Sequence, residues 1–514
     1  MNMQWLFRAF AIATVSLLGL LLSTSIALAS VPKAECGPTD WTESGLQGQV
    51  TPWERESGDS LGGYNCNLEL VGQYQGDGLF SQFGLAFAGA GDCAYYGTDN
   101  ATPLQKHLGV TVIDASDPTN PVPTAYLDTP AMLTPHETIK HNDRRHLLVA
   151  GQNMGEAFDV YDTSVDCRHP VLKSSIKLPG SSGHMGNFAP DGLTYYLTQT
   201  FRGVGGFLYV VDLTDPSNPQ QLPTWQFNGD GRPHEAWLSA DGTRLYAGQP
   251  GEFGHPPNDS SFGPDGLVID DVSAYQFRRP NPQIRIVSKL FWDDQGQAEP
   301  MYPITVNGHP YIISGDEAGG QGGVGGLPAA CARGASAWGY PQIIDITDET
   351  KPKIVAKLML EVSDPTNCSL QLDDPPDIGG GIPNYSAERC TVDRSNDATM
   401  LACGFVNAGL RVFDIRDPYR PKEIAYWKPP AVRTAFLPGS GSWVPGVDLT
   451  VDKVAGYVRW HKVVPANEIH RSQWELWVTS DGNGFQIVRF TDTFKAAHGD
   501  LAEDSGDQPS SNHS

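Results

Sequence analysis

Positive charge is scarce in this sequence. The 514 residues include 35 Lys and Arg against 59 Asp and Glu, a formal net charge of −24, and no segment concentrates the basic residues. Nucleic acids and anionic membrane surfaces attract proteins through clustered Lys and Arg. We therefore expect no nucleic-acid partner and no stable insertion into a membrane.

Long apolar runs are also lacking, apart from one near the amino terminus. It begins after Arg8 and ends at about Leu22, and small residues at 27–29 offer a cleavage site before Ser30. This order is typical of a secretory signal peptide, and the apolar core is short for the alternative, a membrane anchor. The sequence predicts a signal peptide over residues 1–29 and a periplasmic or secreted mature protein.

Several motifs that define common enzyme classes are missing. There is no Gly-x-Ser-x-Gly elbow and no His-Glu-x-x-His, so serine-hydrolase and zincin chemistry have no support. The glycine-rich segment 315–326 lacks the Lys and the following helix of a phosphate-binding loop. The sequence also has no Cys-x-x-Cys pair and no Cys/His cluster of the kind that forms a thiolate metal site. None of these motifs therefore identifies a substrate.

What the sequence does contain is a repeat. An apolar run that ends in Asp, followed in most copies by a Pro-containing turn and a further run, recurs seven times at spacings of 48 to 75 residues. The copies end at Asp114, Asp162, Asp212, Asp270, Asp345, Asp414 and, with a changed residue, Arg489. Each unit resolves into four strand-like runs without a helical pattern. This period predicts an all-β, seven-bladed β-propeller of four-stranded antiparallel blades over residues 67–492.

The two ends of the repeat region complement each other. The last copy, at 485–490, has no fourth strand after it, whereas the run 67–74 resembles a fourth strand without the three strands that should precede it. Pairing the two would close the ring by an N-terminal strand and remove exposed sheet edges. Residues 30–66 are then an N-terminal extension, and the acidic segment 493–514 is predicted to be a disordered tail.

The repeat resembles that of a known family. Val112-Ile113-Asp114 and Val210-Val211-Asp212, each followed by Asp-Pro-x-Asn-Pro, are similar to the LVIVD repeat of exported bacterial propeller proteins. The resemblance covers about residues 67–492 and implies the propeller fold. It implies no particular reaction, because members of this family mostly have none assigned. The copies at Asp162 and Asp270 lack the Asp-Pro turn.

Eight cysteines follow the predicted cleavage site, an even number that suits disulfides in an oxidising compartment. They are Cys36, Cys66, Cys93, Cys167, Cys331, Cys368, Cys390 and Cys403. Cys390 and Cys403 should lie on adjacent strands of the sixth blade, so they are the pair we predict first.

The long connections fall on one face of the predicted propeller. Segments 249–265 and 315–339 join the second and third strands of a blade, and 361–385 and 428–456 join one blade to the next. In a propeller both kinds of connection lie on the same side. Since long loops on a rigid scaffold commonly carry binding, this face is predicted to bind a small-molecule or protein ligand.

Three histidines share one position in the repeat. His136, His184 and His234 each lie seven residues before the Asp of the turn between the first two strands of a blade. The first strand lines the central channel, so the three imidazoles should converge near the axis, at the long-loop end. Imidazole suits Zn, Cu or Fe, and three histidines with an open position form a catalytic ligand set. Glu137 and Glu235, each next to one of these histidines, are candidates to bind ligand or to orient a neighbouring ring.

Two functions follow from these features. The first is a binding or interaction module that uses the long-loop face. The alternative is a metal-dependent enzyme with His136, His184 and His234 as ligands of a divalent ion. A polar lining of the channel, without metal, would explain the histidines equally.

Overall fold

The computed structural model of the protein describes eleven segments of the chain. They are residues 30–76, 87–97, 107–199, 206–227, 232–250, 264–319, 326–374, 385–432, 450–454, 456–463 and 472–504. The predicted signal peptide, residues 1–29, lies outside them. Within the described segments, no helix is both long and apolar enough to cross a membrane.

The amino-terminal segment forms one helix, one 3-10 turn and two strands. These are α1 (Pro52–Ser57), a 3-10 helix (Asp59–Gly62), β1 (Tyr64–Cys66) and β2 (Leu68–Tyr74). The side chain of Thr51 accepts from the backbone N–H of Glu54, whose carboxylate accepts from the backbone of Thr51. This reciprocal pair satisfies two donors at the start of α1.

Seven antiparallel sheets follow in chain order. The first four are β3 (Phe87–Ala90), β4 (Cys93–Tyr96), β5 (Val110–Asp114) and β6 (Val122–Leu127); β7 (Lys140–Asn142), β8 (Leu147–Gly151), β9 (Ala157–Asp162) and β10 (Val171–Lys177); β11 (Met185–Phe188), β12 (Thr194–Gln199), β13 (Phe207–Asp212), β14 (Gln220–Gln221) and β15 (Trp225–Gln226); and β16 (Ala236–Leu238), β17 (Arg244–Gln249), β18 (Asp265–Asp271) and β19 (Arg285–Trp292). A short helix, α2 (Ser273–Gln276), lies between β18 and β19.

The last three sheets complete the ring. They are β20 (Ala298–Val306), β21 (His309–Asp316), β22 (Gln342–Asp345) and β23 (Lys353–Lys357); β24 (Arg389–Val392), β25 (Met400–Gly404), β26 (Leu410–Asp414) and β27 (Lys422–Lys428); and β28 (Arg459–Val463), β29 (Ser472–Ser480) and β30 (Gly484–Phe490). The connections carry α3 (Gly326–Arg333) and the 3-10 helices Glu361–Ser363 and Pro365–Gln371. The protein is thus a seven-bladed β-propeller of four-stranded antiparallel blades, as predicted.

The ring closes as the sequence predicts. Strand β2 pairs antiparallel with β30, from Leu68 opposite Phe490 to Tyr74 opposite Phe485. An amino-terminal strand therefore completes the seventh blade. Strand β1 pairs with β27 and so adds a fifth strand to the sixth blade. The repeat pattern does not predict this contact.

The repeated Asp has a local structural role. In six blades its carboxylate accepts a hydrogen bond from the backbone N–H two residues later and so starts the turn after the third strand; these residues are Asp114, Asp162, Asp212, Asp271, Asp345 and Asp414. The marker predicted at Asp270 is wrong by one residue, since Asp271, the last residue of β18, accepts this hydrogen bond in the fourth blade. Asp270 itself is fully buried, and burial raises its pKa to about 8.

Apolar clusters lie between neighbouring blades and hold the ring together. Tyr95 and Val112 of the first blade, for example, share one buried cluster with Leu148 of the second. Each fully buried aliphatic side chain contributes about 1.5–3 kcal/mol relative to an exposed one. Because every sheet packs on two neighbours, loss of one blade exposes two such interfaces.

All eight cysteines are paired. The disulfides join Cys36 with Cys66, Cys93 with Cys167, Cys331 with Cys368, and Cys390 with Cys403. The predicted pair is confirmed, since Cys390 and Cys403 lie directly opposite each other on β24 and β25.

The chain beyond residue 492 differs from the predicted disordered tail. Helices α4 (Asp492–Ala497) and α5 (Gly499–Ala502) and strand β31 (Glu503–Asp504) continue the described chain, and β31 pairs with β29. Phe494 stacks on Phe490 with ring centroids 4.8 Å apart, and Leu501 is buried. These two apolar side chains anchor a segment whose composition alone indicates disorder. Residues 505–514 lie outside the described chain.

Candidate functional site at the propeller axis

The three histidines enter the channel just before the innermost strands. His184 directly precedes β11, and its backbone N–H donates to the carbonyl of Thr198 on β12 at 2.9 Å. His234 precedes β16 by two residues, and its N–H donates to the carbonyl of Gly248 on β17 at 2.7 Å. His136 lies in a turn ahead of β7, with a left-handed φ of 46°. Two histidines are thus held by ladder hydrogen bonds and the third by a turn.

The structure brings the three imidazoles together, as the shared register predicts. The ring centroids of His136 and His184 lie 4.6 Å apart, and those of His184 and His234 also lie 4.6 Å apart. The Nε2 atoms of His184 and His234 are only 2.9 Å apart. Burial, followed by the neighbouring His184, holds the pKa of His234 well below its usual range. Its ring is therefore neutral, the form that binds a metal ion.

Glu137 lies between two of the rings. Its carboxylate oxygens are 3.9 Å from Nε2 of His136 and 3.9 Å from Nε2 of His184. The carboxylate also forms an ion pair with Arg389, the first residue of β24. Burial raises the pKa of Glu137, but chiefly the charge of Arg389 outweighs it and holds that pKa well below the usual range. Glu137 is thus an ionised carboxylate within reach of two imidazoles.

Glu235 occupies a different position from Glu137. It is fully buried, and neither of its carboxylate oxygens has a hydrogen-bond partner in the described segments. Burial raises its pKa to about 7, while the charges of Arg389 and Lys140 oppose the rise. We find no contact in which this carboxylate orients an imidazole, within the segments described, so that role stays a prediction.

The sequence analysis missed two carboxylates from the fifth blade, Glu299 and Glu317. One carboxylate oxygen of Glu299 lies 3.0 Å from Nε2 of His234, and the other forms an ion pair with Arg389. Gln297 donates to the carboxylate of Glu317 and, at 3.4 Å, to that of Glu299. Burial raises the pKa of Glu317 to about 8.

A bulge explains why Glu299 escaped the repeat register. The seven-residue spacing that locates the histidines falls on Pro300 in this blade, but the pairing of β20 with β21 shifts between Glu299 and Met301. Such a bulge inserts a residue and turns the side chains before it to the other side. Glu299 therefore takes the place of a histidine. Glu317 directly follows β21, at the start of the connection to β22. The equivalent connection differs in length from blade to blade, so no repeat signal marks this residue.

Arg389 and Glu388 complete the buried layer. Arg389 is 1% exposed, and it joins Glu137 of the second blade to Glu299 of the fifth. Glu388 is also 1% exposed, and burial, followed by the charges of Glu317 and Glu137, raises its pKa well above the usual range. The axis thus carries three imidazoles and several carboxyl groups, most of them buried.

The donor atoms at the axis form two groups. In each group the candidate ligand atoms all lie within 4.8 Å of one another. One group consists of His136, Glu137 and His184, and the other of His234, Glu299 and Glu317. We name these the first and the second donor group. Imidazole nitrogen with carboxylate oxygen is the ligand set of zinc and of non-haem iron sites.

The opposite end of the channel holds a cavity of about 610 Å³. Its lining includes Lys140, Asn142, Asn187, Trp237 and Tyr302. Lys140 connects the two ends, because its ammonium donates to the carbonyl of Glu137 at 2.9 Å. The predicted ligand face is the other one, and parts of all four of its long loops lie outside the described segments. That face stays a prediction.

Comparisons with known proteins find only distant structural likeness. No protein-family model matches the chain, and no curated protein matches it. Similar solved structures include hydrazine synthase of Kuenenia stuttgartiensis, 13% identical over 81% of this chain and 99% of that one, with a TM-score of 0.45. They also include the WD40 domain of a Toxoplasma gondii coronin, 9% identical over 88% of each chain, with a TM-score of 0.47. At these identities nothing about activity follows from the likeness.

Proposed function

We propose that this protein is an exported β-propeller whose axial histidine–carboxylate cluster binds a divalent transition-metal ion, and that this ion is its functional centre. The observation that carries the proposal is the clustering of donor atoms at the axis. In each donor group the candidate nitrogen and oxygen atoms lie within 4.8 Å of one another, and a Glu299 oxygen is 3.0 Å from Nε2 of His234. Two ligand atoms of one tetrahedral zinc ion, each about 2.0–2.2 Å from it, lie about 3.3–3.6 Å apart. Small side-chain shifts would accommodate such an ion.

The burial of these groups supports a metal over a plain polar lining. His234 and Glu299 are 2% and 0% exposed, so water cannot hydrate them freely. Burying several carboxylates costs stability unless cations or hydrogen bonds compensate. A divalent ion would supply that compensation. It would also account for the close approach of the imidazoles, which a lining of hydrogen bonds does not explain.

Export and family are part of the same proposal. Four disulfides suit an oxidising compartment, in agreement with the signal peptide that the sequence predicts. The resemblance to the LVIVD-repeat proteins, which are exported, implies the same location outside the cytoplasm. We therefore favour a metal-dependent role in the periplasm or outside the cell, with Zn, Cu or Fe as the ion and a small molecule reaching it from the long-loop face.

Metal analysis tests the proposal directly. Exported, purified protein is stripped with a chelator, reloaded with Zn²⁺, Cu²⁺ or Fe²⁺ in turn, desalted and measured by elemental analysis. We expect stoichiometric retention of at least one ion, lost in His184→Ala because His184 contacts both other rings. His309→Ala is the matched control, since His309 is exposed at the first position of β21 and belongs to neither donor group. Wild-type protein that retains none of the three ions would refute the proposal.

A further inference from the structure

We infer that the axial cluster holds two metal ions, one in each donor group, side by side across the contact between His184 and His234. This inference rests on the proposed function. The first observation is the number of donors. The two groups together offer three imidazoles and three carboxylates, whereas one catalytic ion with an open position uses about three protein ligands.

Each group resembles a complete site by itself. The first donor group combines two imidazoles with one carboxylate, and the second combines one imidazole with two carboxylates. In both, the atoms lie within 4.8 Å of one another, close enough for one ion to draw them together. Each group thus offers three ligands and leaves positions open.

Arg389 fixes the two groups relative to each other. One terminal nitrogen of its guanidinium pairs with Glu137 of the first group, and the other pairs with Glu299 of the second. Since both nitrogens belong to one rigid planar fork, the two carboxylates are held next to each other. On the other side, Nε2 of His184 and Nε2 of His234 are 2.9 Å apart. The two groups are therefore adjacent, as are the ligand sets of two-metal sites, in which the ions lie about 3.5–4 Å apart.

A single ion would leave the other group poorly compensated. With an ion in the first group only, the hydrogen-bond donor to Glu317 among the described residues would be the neutral amide of Gln297. With an ion in the second group only, Glu137 would rely on its ion pair with Arg389, which Glu299 shares. A buried carboxylate costs stability unless cations and hydrogen bonds compensate it fully. Two ions compensate both groups, and Arg389 serves as a positioning residue between them.

The test is metal stoichiometry in matched variants of the whole mature protein. Stripped protein is titrated with Co²⁺ in the presence of a competing chelator and then measured by elemental analysis after desalting. We expect two equivalents for wild type and for the control His309→Ala. His136→Ala removes a ligand from the first group only, and Glu317→Gln removes one from the second only. Each should retain one tight equivalent and bind the other at least about tenfold more weakly.

The outcomes separate this inference from the proposed function. One equivalent in wild type, weakened by both variants, overturns the two-ion inference and leaves the metal site standing. No retained metal refutes both. Electron paramagnetic resonance of the Cu²⁺-loaded protein gives a second readout, because two adjacent ions couple and their signal falls below that of two isolated ions. A full isolated-ion signal for every bound Cu²⁺ in wild type would overturn the inference. Should His136→Ala fail to fold, Glu137→Gln replaces it as the variant of the first group, with loss of one equivalent again expected.

Discussion

Glu43 should stabilise the attachment of the amino-terminal segment to the sixth blade. Its carboxylate accepts from the guanidinium of Arg411 at 2.7 and 3.0 Å and from the ammonium of Lys428 at 3.1 Å. Arg411 and Lys428 are both fully buried. Substitution of Glu43 by Gln keeps the shape of the side chain but removes its negative charge from these two buried cations. The remaining compensation comes chiefly from the carboxylate of Glu423, 2.9 Å from Arg411.

Two estimates give the size of this effect. Burial raises the pKa of Glu43, but Arg411 and Lys428 outweigh it and lower the pKa from 4.5 to about 2. At about 1.4 kcal/mol per pKa unit, this shift corresponds to about 3 kcal/mol of stability at neutral pH. Removing one partner of a buried ion pair costs about 3–5 kcal/mol, which agrees. We therefore expect Glu43→Gln to cost about 3 kcal/mol.

The assay compares urea unfolding of wild type and Glu43→Gln at pH 7 and at lower pH, together with proteolysis of the segment 30–66. Because the pKa of Glu43 is lower in the folded protein, its contribution is complete above about pH 4.5 and is lost as the pH falls toward 2. The difference between the two proteins should shrink over that range. Glu69→Gln is the control: Glu69 pairs with Arg489 at 2.7 Å, but both side chains are exposed, so it should cost less than about 1 kcal/mol. Equal effects of the two substitutions would refute the reasoning.

Three further predictions concern the ring and its core. Deleting residues 30–75 removes β2 and should lower the thermal stability and protease resistance of the entire ring; unchanged stability would contradict closure by this strand. Peptide mapping without reduction should find Cys390 linked to Cys403, and free thiols at both positions would reject the pair. Asp270→Asn should stabilise the protein in urea unfolding. The pKa of Asp270 is raised to about 8, so the carboxylate weakens the fold increasingly from about pH 4 to pH 8. The gain should therefore be largest at pH 8 and above and vanish near pH 4, and a pH-independent effect would contradict this explanation.

The convergence of the histidines was predictable because it depends on a local register. His136, His184 and His234 precede equivalent turns, and the side-chain alternation of a strand preserves their orientation from blade to blade. Radial symmetry then brings equivalent residues to one axis. The same reasoning located ring closure, since the unpaired strands at the two ends of the repeat have only each other as partners.

The other members of the cluster depend on contacts that no repeat encodes. Glu299 reaches His234 because a bulge shifts β20, and Glu317 lies in a connection whose length differs from blade to blade. Arg389 crosses the channel to join two distant blades. The order found after Asp492 likewise depends on the contact of Phe494 with Phe490. The sequence by itself determined the architecture and the place where the imidazoles meet, because both follow from short patterns repeated along the chain. Only the tertiary structure decided which carboxylates and which cation surround them, because those side chains come from irregular positions that are brought together when the ring closes.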